Sequence, residues 1–300
     1  MDTYLITNSV EAATHVASSV HGLLDLSFVY NAGIVQTQLQ VRAQRPPLRV
    51  VRAFPLPNGG KLVHLHNLSG GVLAGDRLEL HVDVAADSYA QLTTVGATRI
   101  YRSHDEATPA SQITTVHIGE HGLLEYLPDS LIPFAGSRYQ QQTQIVLEDG
   151  AGLFWWETVA PGRLARGECF AYDLLQLSFN LSTSTKPLAI ERFTLEPQRQ
   201  SLSTLARLGA YRYFGSFYIC RVGLESARWS ALEQKLSWLA DELTQEGETL
   251  WGVSTLVAHG LIVRYASRQG LLLPNGLFAF WQAAKRELYG NDAILPRKIY

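Results

Sequence analysis

Between about residues 22 and 200, short runs of alternating apolar and polar side chains are separated by turn chemistry, and this period of two commits most of the chain to β-strands. In the run from Leu78 to Val84, Leu78, Leu80, Val82 and Val84 share one face, and Glu79, His81 and Asp83 share the other. Leu175, Leu177, Phe179 and Leu181 repeat the pattern and imply a second sheet face. Asn58-Gly59 and Asp149-Gly150 tolerate the positive φ of tight turns, so consecutive antiparallel pairing is expected. In Phe154-Trp155-Trp156 the two tryptophans, adjacent on a strand, are expected to serve opposite sheet faces as core.

The pattern changes after about Trp229. Leu232, Leu236, Leu239 and Leu243 fall on one helical face, with Gly247 as the expected stop. A strand-like run from Leu250 to Tyr265 and a helix from Leu277 to Leu288 follow. In that helix Leu277, Trp281, Ala284 and Leu288 form the stripe, Lys285 and Arg286 suit the helix dipole, and Gly290 ends it. The fold class is therefore mainly β: an elongated, antiparallel β-rich body of stacked sheets with a few helices, mostly in the C-terminal part. No repeat or low-complexity linker divides it, so residues 1–300 are read as one domain with a variable extension over residues 1–21.

With 46% hydrophobic residues the chain can bury a sizeable core. Lys plus Arg total 25 against 27 Asp plus Glu, and no run of five like charges occurs, so no nucleic-acid partner is expected. Cys169 and Cys220, 51 residues apart, suit a reducing compartment and read as buried small hydrophobes. The first twenty residues lack the basic and apolar regions of a secretory signal, and the longest apolar runs are too short for a membrane helix. The expected location is the cytoplasm, with no membrane partner.

Several segments invite a chemical reading. Gly70 to Asp76 is Gly-rich, but a strand follows and no Gly-Lys-Ser or Gly-Lys-Thr does, so it reads as a turn that aims Asp76 rather than as a phosphate loop. His64 and His66, two apart on a strand, share a face at a spacing compatible with one metal, or are simply hydrogen-bonded histidines. His117 and His121 straddle a turn and carry less weight. Gly-x-Ser-x-Gly is absent, which disfavours a serine hydrolase. Glu125, Asp129, Glu157 and Glu168 lie among aromatics and could supply a glycosidase pair, so a carbohydrate-active hydrolase on a β scaffold is the alternative reading.

Blocks distributed along the chain resemble the UreD/UreH family of urease accessory proteins, from about Gly22 to the carboxyl terminus. They are SGGVLAGDRLEL (Ser69 to Leu80), LTTVGATRIYRS (Leu92 to Ser103), EYLPDSLIPFAGSRYQQ (Glu125 to Gln141), GRLARGECF (Gly162 to Phe170), PLAIERF (Pro187 to Phe193) and the closing FWQAAKRELYGNDAILPRKIY. Leu68-Ser69, Arg99, Tyr126 and Ile299-Tyr300 depart from the family's usual residues without removing a necessary chemical group. The resemblance implies a non-catalytic scaffold in urease maturation, with no tightly bound cofactor. Its implied partners are a UreF-type helical protein, a UreG-type GTPase and apo-urease, and its implied cargo is nickel in transit. It further implies that Asp76 and Glu191 are polar groups on an internal nickel route. On the residues alone, Asp76 could instead cap its own turn and Glu191 pair with Arg192 or another base.

Overall fold

The computed structural model of the chain describes residues 19–103 and 108–296. The expected extension before residue 19 and the closing Ile299-Tyr300 lie outside the described residues. The described residues open with β1 (His21–Asn31), β2 (Gln36–Arg45), β3 (Leu48–Arg49), β4 (Ala53–Pro55), β5 (Lys61–Asn67), β6 (Arg77–Val84), β7 (Tyr89–Thr94) and β8 (Thr98–Ile100). Next come β9 (Ala110–Ile118), β10 (Leu123–Tyr126), β11 (Leu131–Pro133), β12 (Arg138–Leu147), β13 (Gly152–Val159), β14 (Leu174–Thr183), β15 (Pro187–Leu195) and β16 (Tyr213–Arg221). Helix α1 (Ser226–Leu243), the hairpin β17 (Thr249–Thr255) and β18 (Gly260–Ser267), and helix α2 (Leu273–Tyr289) complete them.

The strands form two mixed sheets, one of seven in the order β15-β14-β12-β9-β6-β1-β2 and one of eleven whose main path is β17-β18-β16-β13-β10-β7-β5-β3. The mainly β reading with a few helices in the C-terminal part holds, with two α-helices among the described residues, but consecutive antiparallel pairing does not. The chain steps from β6 to β7, from β9 to β10 and from β12 to β13, crossing each time between sheets, so successive arrivals in a sheet run the same way. Thus β1, β6, β9, β12 and β14 pair in parallel, as do β5, β7, β10 and β13, while antiparallel strands flank them. Asp149-Gly150 is a tight turn with Gly150 at φ +69°, yet it hands the chain from one sheet to the other. Asn58-Gly59 does close an antiparallel pair, β4 with β5.

A sheet packed on both faces requires strands apolar on both faces. β13 meets this: Trp155 lies in the core between the sheets with Tyr126, Phe179 and Tyr218. Its neighbour Trp156 lies in a second core between the eleven-stranded sheet and the helices. Leu78, Leu80, Val82 and Val84 are buried as their alternation requires.

In α1 the stripe buries Trp229, Leu232, Leu236 and Ala240, with Leu239 and Leu243 partly buried. The helix ends at Leu243, and Gly247 serves the turn into β17. The run from Leu250 to Tyr265 is two strands, because residues 256–259 turn with His259 at φ +58°. α2 begins at Leu273, four residues earlier than the stripe suggested, with a proline in its first turn. Gly290 ends it in the left-handed conformation, its N–H bonded to Arg286 O at 2.9 Å.

Candidate functional site

Four cavities with shared walls run through the molecule. The first, about 870 Å³, lies against the outer face of β5, where Val63 and Leu65 point into the inter-sheet core and leave His64 and His66 on the other side. Phe54, Leu56, Val95, Ile294 and Leu295 complete much of its wall. His66 and Val95 also wall the second, about 510 Å³, which lies between the sheets and reaches Thr98, Gln112 and Tyr126. Those three residues wall the third, about 40 Å³, with Asp129, Tyr139, Gln141 and Glu157. Glu157, Val159 and Leu177 are shared with the fourth, about 380 Å³, which ends at Glu191, Ser216, Tyr218 and Arg264.

Glu157 stands at the narrow junction. β13 carries it in an otherwise apolar strand, so protein surrounds it while its remaining surface faces the cavities. Gln141 Nε2 donates to its Oε1 at 2.6 Å. Burial pushes its carboxyl up to about 7; the Gln141 bond opposes this and the charge of Glu191 adds to it. The unfolded carboxyl ionises near 4.5, so stability falls as pH rises from about 4.5 to about 7 and stays lower above. At about 1.4 kcal/mol per pH unit, Glu157→Gln should gain roughly 3 kcal/mol at pH 8 and little at pH 4. Urea denaturation at both pH values checks this; an equal effect at both would contradict it.

Glu191, on edge strand β15, pairs through its carboxylate with another base rather than with Arg192, which reaches Asn180 Oδ1 at 3.0 Å and the Glu191 carbonyl oxygen at 2.8 Å. It forms an ion pair with Arg264 of β18, across from one sheet to the other, and accepts from Ser216 Oγ at 3.5 Å. Burial and the bond to Glu191 both raise the Tyr218 hydroxyl.

Asp76 is buried in the turn before β6. Its Oδ1 accepts from Val20 N at 3.0 Å and its Oδ2 from Leu73 N at 2.9 Å, so both oxygens serve backbone amides. Asp76→Ala should cost about 2 kcal/mol by leaving buried N–H groups unmet, and Asp76→Asn less, since its amide keeps one acceptor. Equilibrium unfolding of both variants measures this, and no loss in Asp76→Ala would contradict it.

Burial is the largest cause lowering His66, followed by the nearby charges of His64 and Arg49. His64 meets the Phe54 ring edge-on at 5.6 Å. No group of three or more His, Cys, Asp or Glu side chains positioned to hold a metal is found among the described residues. His117 contacts Asp83 Oδ1 at 3.1 Å and Glu148 Oε1 at 3.4 Å on the outer face of the seven-stranded sheet. His121 approaches Glu120 at 3.7 Å, exposed in a turn.

The carboxylates considered for glycoside cleavage are dispersed. Glu125 is wholly buried, with Lys285 Nζ at 2.7 Å and Trp281 Nε1 at 3.1 Å from its Oε1, and Tyr89 OH at 2.7 Å and Gln91 Nε2 at 2.8 Å from its Oε2. Glu168 is held by Arg163, whose Nε donates at 2.8 Å; the hydrogen bonding from Arg163, and after it the Ala135 N–H and the Arg163 charge, keep the carboxyl low. Asp129 Oδ2 accepts from Thr94 Oγ1 at 3.2 Å. Asp129 and Glu157 do share a cavity, but about 40 Å³ holds a few waters, not a sugar ring. Cys220 is buried; Cys169, expected to be buried too, is exposed between Glu168 and Phe170. No helix among the described residues is long and apolar enough to cross a membrane.

A family model described as UreD urease accessory protein matches residues 20–299. The chain belongs to the UreD urease accessory protein family. It is 48% identical over 281 residues to the urease accessory protein UreD of Herpetosiphon aurantiacus, covering 94% of this chain and 97% of the relative. The corresponding protein of a Bacillus species is 27% identical over 252 residues, 84% and 89% of the two chains. UreD 2 of Brucella suis is 31% identical over 271 residues, 88% and 86% of the two chains. Membership in the UreD family places this chain in urease maturation.

Proposed function

We propose that the chain is a non-catalytic scaffold that passes nickel toward apo-urease through its four cavities, within a complex containing a UreF-type helical protein and a UreG-type GTPase in the cytoplasm. The observation that carries this reading is the series of shared walls leading from His64 and His66 to Glu157 and Glu191. Neutral imidazoles suit a nickel ion at one end, and carboxylate oxygens suit weak, reversible contact along the way. A site of many fixed ligands would hold the cargo too tightly to release it.

The junction of about 40 Å³ cannot contain an ion with its full water shell. An ion crossing it sheds water and takes oxygens from Glu157 and Asp129 in exchange. Glu157 would pass its proton to cavity water as the ion arrives, which offsets one of the ion's two positive charges in an enclosed space. Glu191 is the next station, where the ion competes with Arg264. Asp76 supports the wall, since its turn starts β6, whose Leu78 and Leu80 line the second cavity.

Urease activation reconstituted from apo-urease, nickel, bicarbonate, GTP and the accessory proteins tests the reading. Omitting this chain should leave urease without nickel. Glu191→Gln should preserve complex assembly and GTP hydrolysis while lowering the nickel bound per urease; full loading in either case would defeat the proposal.

A further inference from the structure

The cavity beside β5 is bordered by apolar residues that the fold leaves uncovered. Val51 is 69% exposed, Val95 45% and Leu295 57%, and Pro55 and Pro57 are exposed beside them. An apolar concavity of this kind, open at its rim, is a site for another surface rather than for water.

Its charge is of one sign. That charge is the cation of Arg52, with Arg49 close by on the adjacent strand; His64 and His66 add imidazoles, and no carboxylate is among the lining residues. The Arg52 guanidinium lies 4.5 Å from the Phe54 ring centroid, which fixes the cation without using up its N–H donors. Among the described residues Arg52 forms no ion pair.

The wall is also preformed. Ile294 and Leu295 follow α2, and Gln91 Nε2 holds Ile294 O at 3.0 Å while bonding Glu125 at 2.8 Å. The tail is thereby tied to the buried Glu125–Lys285 pair, so docking against it orders little chain.

We infer that this groove docks an amphipathic segment of a partner protein, with aliphatic anchors on Val51, Val95 and Leu295 and a flanking carboxylate on Arg52. The positive rim selects against basic segments and the apolar floor against purely acidic ones. Because His66 and Val95 wall the next cavity as well, the docked segment lies at the entrance to the series, and this part rests on the passage reading.

The test uses the full chain with the helical accessory protein, the GTPase and apo-urease, each purified. A photocrosslinking residue replaces Val51 or Val95, with Trp238, exposed on α1, as the control position. The expected result is a crosslink from both groove positions, and not from Trp238, to one segment carrying both aliphatic and acidic residues. Arg52→Glu should weaken that partner's binding about tenfold with an unchanged unfolding midpoint, and reversing an acidic residue of the segment should restore it. Crosslinks only to a second copy of the chain, crosslinks to none of the three proteins, or undiminished binding of Arg52→Glu would overturn the inference. Failure of the passage reading looks different: complexes would form normally, and Glu191→Gln would still deliver nickel.

Discussion

Lys285→Met is expected to destabilise the protein by about 3–5 kcal/mol, the usual cost of leaving a buried charge without its partner. Lys285 and Glu125 are both wholly buried, 2.7 Å apart. Lys285 Nζ also donates to Tyr89 OH at 2.8 Å, and burial together with the Glu125 charge raises that phenol well above its ordinary range. Methionine matches the length of the aliphatic stem, so the loss is chiefly electrostatic. Removing the carboxylate as well, in Lys285→Met with Glu125→Gln, should recover part of the deficit, because no uncompensated charge then remains. Urea denaturation of the single and double variants gives the coupling; a single variant within 1 kcal/mol of the parent would mean that water reaches the site.

Trp281→Ala should cost about 3–5 kcal/mol for the deleted ring volume. The indole is 0% exposed, meets Trp156 edge-on at 6.0 Å and Phe278 at 6.1 Å, and donates to Glu125 at 3.1 Å. Trp281→Phe keeps much of the volume but drops the donor, so it should lose less, and the difference between the variants measures the cavity against the hydrogen bond. An unchanged unfolding midpoint in Trp281→Ala would contradict the placement of α2 against the sheet.

The stripe of α2 is legible in the sequence because Leu277, Trp281, Ala284 and Leu288 recur at helical spacing, and all four are buried. Lys285 was misleading: near a helix end a cation suits the dipole, yet position 285 is one turn after Trp281 and therefore on the buried side. Glu125, inside the apolar run Leu123–Leu127, carries the matching signal, as does Glu157 within Phe154–Val159. A lone charge in a strand that is otherwise apolar on both faces has to be paired, neutralised or turned to a cavity. Arg286, by contrast, does lie at the surface, with Asp292 Oδ1 at 2.6 Å from its Nε.

Strand pairing was less legible. Asn58-Gly59 and Asp149-Gly150 look alike locally, but the first reverses the chain within a sheet and the second sends it to the opposite sheet. The turn dipeptide specifies a positive φ and not the destination of the next strand. For Asp76, the sequence allowed both a capping role and a place on the route, and the two amide bonds establish the cap. Glu157 escaped notice as a passage residue because the cavities meeting there are lined from several strands far apart in sequence.

The most direct measurement of the passage is to obstruct its junction without touching a carboxylate. Leu177 walls both the cavity of about 40 Å³ and the one of about 380 Å³, so Leu177→Phe adds bulk where they meet, while Leu177→Ala widens the same place. With both variants folded and assembled into the accessory complex, the nickel bound per urease should fall severalfold for Leu177→Phe and remain near the parent for Leu177→Ala. Urease loaded fully through Leu177→Phe would contradict passage of the ion through the interior of this chain.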